Sequence, residues 1–309
     1  IAISIVFGSV EIKFGDVIGF LANKISGKRV VAPTWDNSME SIIWDIRTPR
    51  VLTAFIVGAG LTLCGIVMQA LTKNTLADPY VLGISQGASS GAVFMIMYGS
   101  MFFYGQYGTV LGAFIGAVIS IMIALQIAKI RNKVTATQLI LAGIAVAAMF
   151  GALTNIMIYL QRTGSDKVKT AQYWMMGSLS GSTWERLVYV AIVFVICFIV
   201  IYAIRKMLDA MLLGDDVALT LGVNTGRLKF IMILVATLLT GAIVSISGVI
   251  GFVGLTIPHI TRSVVGSKHT RLIPAATLVG GTFLVLADVI SRVLISPEEL
   301  PIGVVSVSY

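Results

Sequence analysis

Charge is what this sequence has least of. Only 12% of its 309 residues are Asp, Glu, Lys or Arg, about half the roughly 25% of an ordinary globular chain. That little charge cannot keep a surface of this size in water. An ordinary soluble enzyme, a secreted scaffold and a nucleic-acid-binding domain are excluded together. Cysteine is scarce too: Cys64 and Cys197 lie inside apolar runs with no disulfide or metal pattern, and read as small packing residues. His259 and His269 stand ten residues apart, without the spacing of metal ligands. No His-Glu-x-x-His, no Gly-x-Ser-x-Gly and no phosphate-cradling Walker loop occurs. The chain is therefore expected to be no enzyme, to hold no metal or cofactor, and not to hydrolyse nucleotide itself.

What is abundant is apolar surface. Hydrophobic residues make up 57% of the chain and mean hydropathy is +0.96, a composition suited to lipid. At about 20 residues per crossing, the length holds about ten transmembrane helices. The expected fold is all-α: one polytopic membrane domain over residues 1–309. Apolar runs between charges place crossings near 51–71, 81–98, 108–128, 138–160, 187–204, 230–247, 248–265 and 272–290. Residues 1–7 read as the end of a first helix and 300–309 as the start of a tenth. Both terminal helices are expected to be truncated in this chain. The net charge of +8 (22 basic minus 14 acidic residues) suits loops that meet anionic headgroups or set topology.

Glycine is frequent, 31 residues, and clusters inside the apolar runs, where small residues let helices approach closely in lipid. Charge inside the runs is nearly absent. Asp288 is the clear exception, and Arg292, four residues on, faces it along one helix. The pair reads as structural. Its alternative is a proton or sodium site of an ion-coupled secondary carrier. One such site at most argues that transport energy comes from elsewhere. Lys and Arg do not decide orientation, since placing loop 205–229 in the cytoplasm leaves eleven on each side. The inner ones lie in shorter loops, a weak vote for that placement.

Seven motifs follow in order. They are Arg-Thr-Pro-Arg at 47–50, Gly-Ile-Val-Met-Gln at 65–69, and Asn-Thr-Leu-Ala-Asp-Pro-Tyr-Val-Leu-Gly-Ile-Ser-Gln-Gly-Ala at 74–88. Next come Tyr-Trp-Met-Met-Gly at 173–177 and Gly-Asp-Asp-Val-Ala-Leu-Thr-Leu-Gly-Val at 214–223. Gly-Phe-Val-Gly-Leu-Thr-Ile-Pro-His-Ile-Thr-Arg at 251–262 and Leu-Pro-Ile-Gly at 300–303 complete the series. Together they resemble the permease family of ABC importers for ferric siderophores, haem and vitamin B12, over about 47–304. The family usually has proline after the first Asn of the third motif, where this chain has Thr75. The fixed φ of proline is lost there.

The resemblance implies a ten-helix subunit of the bacterial cell membrane that pairs with a second permease subunit, identical or not. It implies two cytoplasmic ATP-binding cassette subunits, which carry ATP and Mg, and an extracytoplasmic binding protein. The cargo it implies is an iron-siderophore-like metal chelate, with haem and cobalamin as alternatives. Gly214, Asp215, Asp216, Ala218, Leu221 and Gly222 match the family's ATPase-coupling loop: glycines for its turns, acids at a helix start, Ala218 and Leu221 for apolar contact. Arg47, Arg50 and Arg292 match arginines that dock the binding protein, a task suited to the bidentate guanidinium. Asn74, Leu76, Thr135 and Thr137 match the inner gate, and Gln69 is a further path candidate. From the residues alone, helix capping by the threonines and helix-to-helix bonding by Gln69 explain them equally well.

Overall fold

The computed structural model describes residues 2–8, 12–28, 30–32, 35–99, 106–129, 135–161, 165–295 and 299–307. Arg29, Arg131, Lys133 and Arg162, counted in the charge tally, lie outside the described residues. The described residues are helical, with no strand. Helices α1 (Ala2–Val6), α2 (Phe14–Ser26) and α3 (Asn37–Ser41) come first. A π-helical segment, Ile42–Arg47, then runs without a break into α4 (Thr48–Thr72). After a 3₁₀ turn at Pro79–Leu82 follow α5 (Ile84–Tyr98), α6 (Gln106–Ala128), α7 (Ala136–Tyr159) and α8 (Asp166–Met175). Then come α9 (Trp184–Ala203), α10 (Arg205–Leu212), α11 (Asp215–Thr220) and α12 (Thr225–Ser247). The last three are α13 (Val253–Val265), α14 (His269–Val293) and α15 (Ile302–Val307).

Short polar side chains start many of these helices by accepting from the otherwise orphaned first-turn amides. Asp36 does so for α3, Ser165 for α8, Thr183 for α9 and Asn224 for α12.

Among the described residues, six helical stretches are long and apolar enough to cross a bilayer: Asn37–Thr72, Tyr107–Ala128, Thr137–Tyr159, Trp184–Ala203, Thr225–Ser247 and His269–Val293. The expectation of ten is not met on length. Two of the expected crossings, 81–98 and 248–265, contain helices of only 15 and 13 residues, about 20 Å of rise against a hydrocarbon core near 30 Å. The cause is local. Asp78 caps and Pro79 opens the 3₁₀ turn, and Gly83 (φ 78°) ends it, so residues 79–83 leave the helix. Gly248 (φ 67°) ends α12, and Phe252 (φ 72°) precedes α13.

Helix α4 is the axis of the molecule, packed against α9, α12, α13 and α14. Its most apolar 18-residue window is 83% buried, against 22% for that of α9. One lies inside protein; the other presents its apolar surface outward, as lipid requires. Glycine makes the central contacts possible. A Cβ on Gly65 would overlap the Gly254 carbonyl oxygen, and one on Gly58 would overlap that of Gly280. Helix α4 therefore touches α13 and α14 backbone to backbone, where close packing replaces the hydrophobic drive that lipid removes.

Candidate functional site

At one end of the bundle, α10 and α11 form a short hairpin. Gly214 turns the chain at φ 120° and Gly222 at φ 80°, values that favour glycine over any residue with a Cβ. No other atom lies within 4 Å of where either Cβ would stand, so the requirement is conformational, not steric. Asp215 and Asp216 occupy the first turn of α11, where a carboxylate suits the helix dipole. Ala218 corrects the expectation of apolar contact: it is fully buried, and the Val223 amide donates to its carbonyl across the turn at 3.0 Å. On α11 and the turn after it, the outward apolar groups are Leu221, Val217 and Leu219.

Asp215 sits between two ammonium groups. Lys229 Nζ of α12 lies 2.5 Å from Oδ2, and Lys73 Nζ, just past α4, lies 2.8 Å from Oδ1. These cations, Lys229 foremost, hold the carboxyl below its ordinary range. Asp209 of α10 makes a second tie. Its Oδ1 accepts from the His269 amide at 3.0 Å and lies 2.6 Å from His269 Nδ1, capping α14. The hairpin is thus joined by side chains to the adjacent ends of both α4 and α14.

Lys73 leads directly into the expected gate. It holds a left-handed backbone (φ 53°), uncommon for a residue with a side chain. The Asn74 carbonyl accepts from the Ala77 amide at 3.2 Å, and Asn74 Oδ1 from the Leu76 amide at 2.9 Å. This compact turn leaves Leu76 68% exposed. Beyond it, burial pushes the Asp78 carboxyl up, against the opposing Tyr80 amide bond. Tyr80 Oη donates to the Ile250 carbonyl at 2.8 Å, tying the turn to the break before α13. The 3₁₀ turn packs on α7 at Gly143, where a Cβ would overlap the Val81 carbonyl. Thr135 and Thr137 stand near the start of α7, both exposed. Thr135 forms a full capping box with Gln138. Gln69 is 2% exposed and donates to the Leu255 carbonyl of α13 at 3.2 Å, a bond between helices rather than a path-lining group in this structure.

At the opposite end of α4 lie the three arginines, all buried. Arg50 Nε bonds Asp288 Oδ1 at 2.9 Å, and its Nη1 bonds Glu299 at 2.8 Å. Arg292 Nη2 lies 3.0 Å from Asp288 Oδ2, the expected i,i+4 pair. Arg292 also donates to the Phe7, Ser4 and Asp288 carbonyls at 2.6, 3.1 and 3.3 Å. Arg47 Nη1 donates to the Ile5 and Val6 carbonyls, each at 2.8 Å. The arginines hold α1, α4 and α14 together. Asp288, bonded to two guanidiniums, has the form of a structural carboxylate rather than an ion carrier's site.

Sequence reasoning missed Lys73, Lys229, Asp209, His269 and Glu299. Their partners lie between 14 and 249 residues away, beyond any helical spacing. Among the described residues, no group of three or more His, Cys, Asp or Glu side chains is placed to hold a metal ion.

Comparison with known proteins agrees with this architecture. The profile of the FecCD transport family matches residues 1–308. The hemin transport permease of Yersinia pestis is 35% identical over 279 residues, covering 88% of this chain and 82% of the relative. The molybdate import permease of Haemophilus influenzae is 33% identical over 271 residues, covering 88% and 79%. Among solved structures, an inward-facing metal-chelate type ABC transporter superposes with a TM-score of 0.82 at 30% identity, covering 96% of this chain and 94% of that one.

Proposed function

Because this chain belongs to the FecCD transport family, we propose that it is the permease subunit of an ABC importer that carries an iron-siderophore-like metal chelate. The observation that carries this reading is the α10–α11 hairpin. It is a pair of short helices with an outward apolar face of Val217, Leu219 and Leu221, tied by side chains to the ends of the two central helices. Two ATP-binding cassette subunits holding ATP and Mg would dock on that face, one per permease, in a homo- or heterodimer of the bacterial cell membrane. An extracytoplasmic binding protein would deliver the cargo at the other end. Ten crossings follow when α1, α5, α13 and α15 join the six long helical stretches.

Asn74, Leu76 and Thr137 are exposed and serve as the gate, with Thr135 fixing the start of α7. Burial and internal bonding support a rim-shaping role for Arg47, Arg50 and Arg292. They set the geometry on which the binding protein sits, and Glu299 lies at their edge. Haem and cobalamin are the alternative cargoes, and the names of the relatives keep the cargo class broad.

The test is affinity purification of the tagged full-length chain from its native membrane in mild detergent, with mass spectrometry of what accompanies it. A co-purifying ATPase is expected. A chain that emerges alone across several detergents overturns the reading. The variant Gly222→Trp sharpens it: the site is open to a side chain, and the strained φ costs roughly 1–2 kcal/mol, too little to unfold the protein. Uptake should be lost while ATP hydrolysis persists, and normal uptake would refute docking at the hairpin.

A further inference from the structure

The gate turn hangs between two anchors. On its far side, Tyr80 holds it to the Ile250 carbonyl at 2.8 Å. On its near side, Lys73 reaches Asp215 Oδ1, 2.8 Å away, on the first residue of α11. One peptide bond separates Lys73 from Asn74, whose carbonyl and side chain both organise the turn that exposes Leu76. A shift of α11 relative to α4 therefore acts on the first residue of the turn through one side chain. The left-handed backbone of Lys73 (φ 53°) marks it as a place where the chain is held against its preference, and such conformations persist only when their surroundings over-determine them.

The second cation on Asp215 differs in kind. Lys229 belongs to α12, which follows α11 directly, and its bond closes a segment of only 14 residues. It braces the hairpin against the helix that follows it, not against the gate turn. Lys73 comes from the other side of the sequence, at the end of the central helix.

We propose that the Lys73–Asp215 ion pair is the mechanical link between the ATPase-docking hairpin and the inner gate, with Lys73 as the positioning residue for Asn74 to Ala77. The proposal rests on the reading of α10–α11 as the docking hairpin. The pair's exposure fits a link that must break and reform. Its side chains are 39% and 37% exposed, and exposed pairs contribute little to stability. Its removal should leave the fold intact and still be felt at the gate.

The experiment needs no cargo. Cys64 and Cys197 are buried, so Leu76→Cys offers an exposed thiol for a bimane fluorophore. The full-length labelled chain is purified with its ATPase in lipid nanodiscs, and the bimane spectrum is read before and after ATP with vanadate. In the Leu76→Cys background a spectral shift is expected. Adding Lys73→Met should shrink that shift about fivefold, on the scale of one exposed pair, with ATP hydrolysis retained. Lys73→Arg keeps the charge and should restore the shift. Lys229→Met should leave it at full size. A purely structural role for Lys73 would lower hydrolysis and the shift together.

The link is overturned if Lys73→Met shifts like the parent, or if Lys229→Met loses as much. It is also overturned if the parent does not respond to nucleotide at all, a result that leaves the docking reading standing. If no ATPase accompanies the chain, the docking reading fails at the purification step and the link falls with it.

Discussion

The two ends of α4 carry the same chemical motif in opposite surroundings. At one end Asp288 lies between Arg50 and Arg292; at the other Asp215 lies between Lys73 and Lys229. Each is one carboxylate held by two cations from different helices. The first trio is dry, with side-chain exposures of 9%, 1% and 4%. The second is wet, with exposures of 39%, 37% and 21%. Residue choice follows the surroundings. Arginine, weakly hydrated and forked, serves the buried end, while lysine, a strongly hydrated point charge, serves the open one. A buried carboxylate stripped of a cation is costly, whereas an exposed one turns to water. One end is built to hold, the other to yield.

The widest separation between them comes from removing each carboxylate. Asp288→Ala leaves two buried guanidiniums without their shared acceptor and should cost about 3–5 kcal/mol of stability. Thermal unfolding of the purified protein in detergent would register it as a large drop in midpoint. Asp215→Ala should cost no more than about 1 kcal/mol. Equal losses would mean that burial does not set the difference. Between these extremes lies the packing that holds α4 in place. Gly65→Leu forces a side chain into the Gly254 carbonyl, and overpacking of this kind costs typically 1–3 kcal/mol. The same unfolding measurement reads it, and an unchanged midpoint would show that α13 swings away freely.

Much of this contrast was hidden in the sequence. The Asp288–Arg292 pair was legible because helical spacing brings i and i+4 together. Arg50 was not, since its partners lie 238 and 249 residues away. The long crossings stood out as apolar runs, and α6, α7, α9, α12 and α14 occupy them with ends moved by a few residues. The runs at 81–98 and 248–265 hold helices shorter than the runs themselves, because hydropathy does not register backbone breaks. A Pro79 start with an Asp78 cap, and a positive φ at Gly248, remove residues from each helix. The turns at Gly214 and Gly222 and the acids opening α11 were readable as local chemistry. The burial of Ala218 was not, because a helix of six residues gives too little pattern to tell its inner face from its outer.

The smallest effect expected is one of pH, and its sign is fixed by the direction in which Asp215 is displaced. Its two lysines hold the carboxyl below the ordinary value of 3.8. A carboxyl depressed in the folded state contributes its full stabilisation above the unfolded value and loses it only as pH falls through the folded one. That loss falls below pH 5, so the coupling of Lys73 to Asp215 should be flat between pH 5 and 8. A double-mutant cycle with Lys73→Met and Asp215→Asn, read by unfolding at pH 8, 6.5 and 5, measures it directly. Added salt should weaken the same coupling, because the pair is open to screening ions, whereas the Arg50–Asp288 pair should barely respond. A Lys73–Asp215 coupling that faded between pH 7 and 5 would mean that the carboxyl is raised in the folded protein, with burial outweighing its two cations.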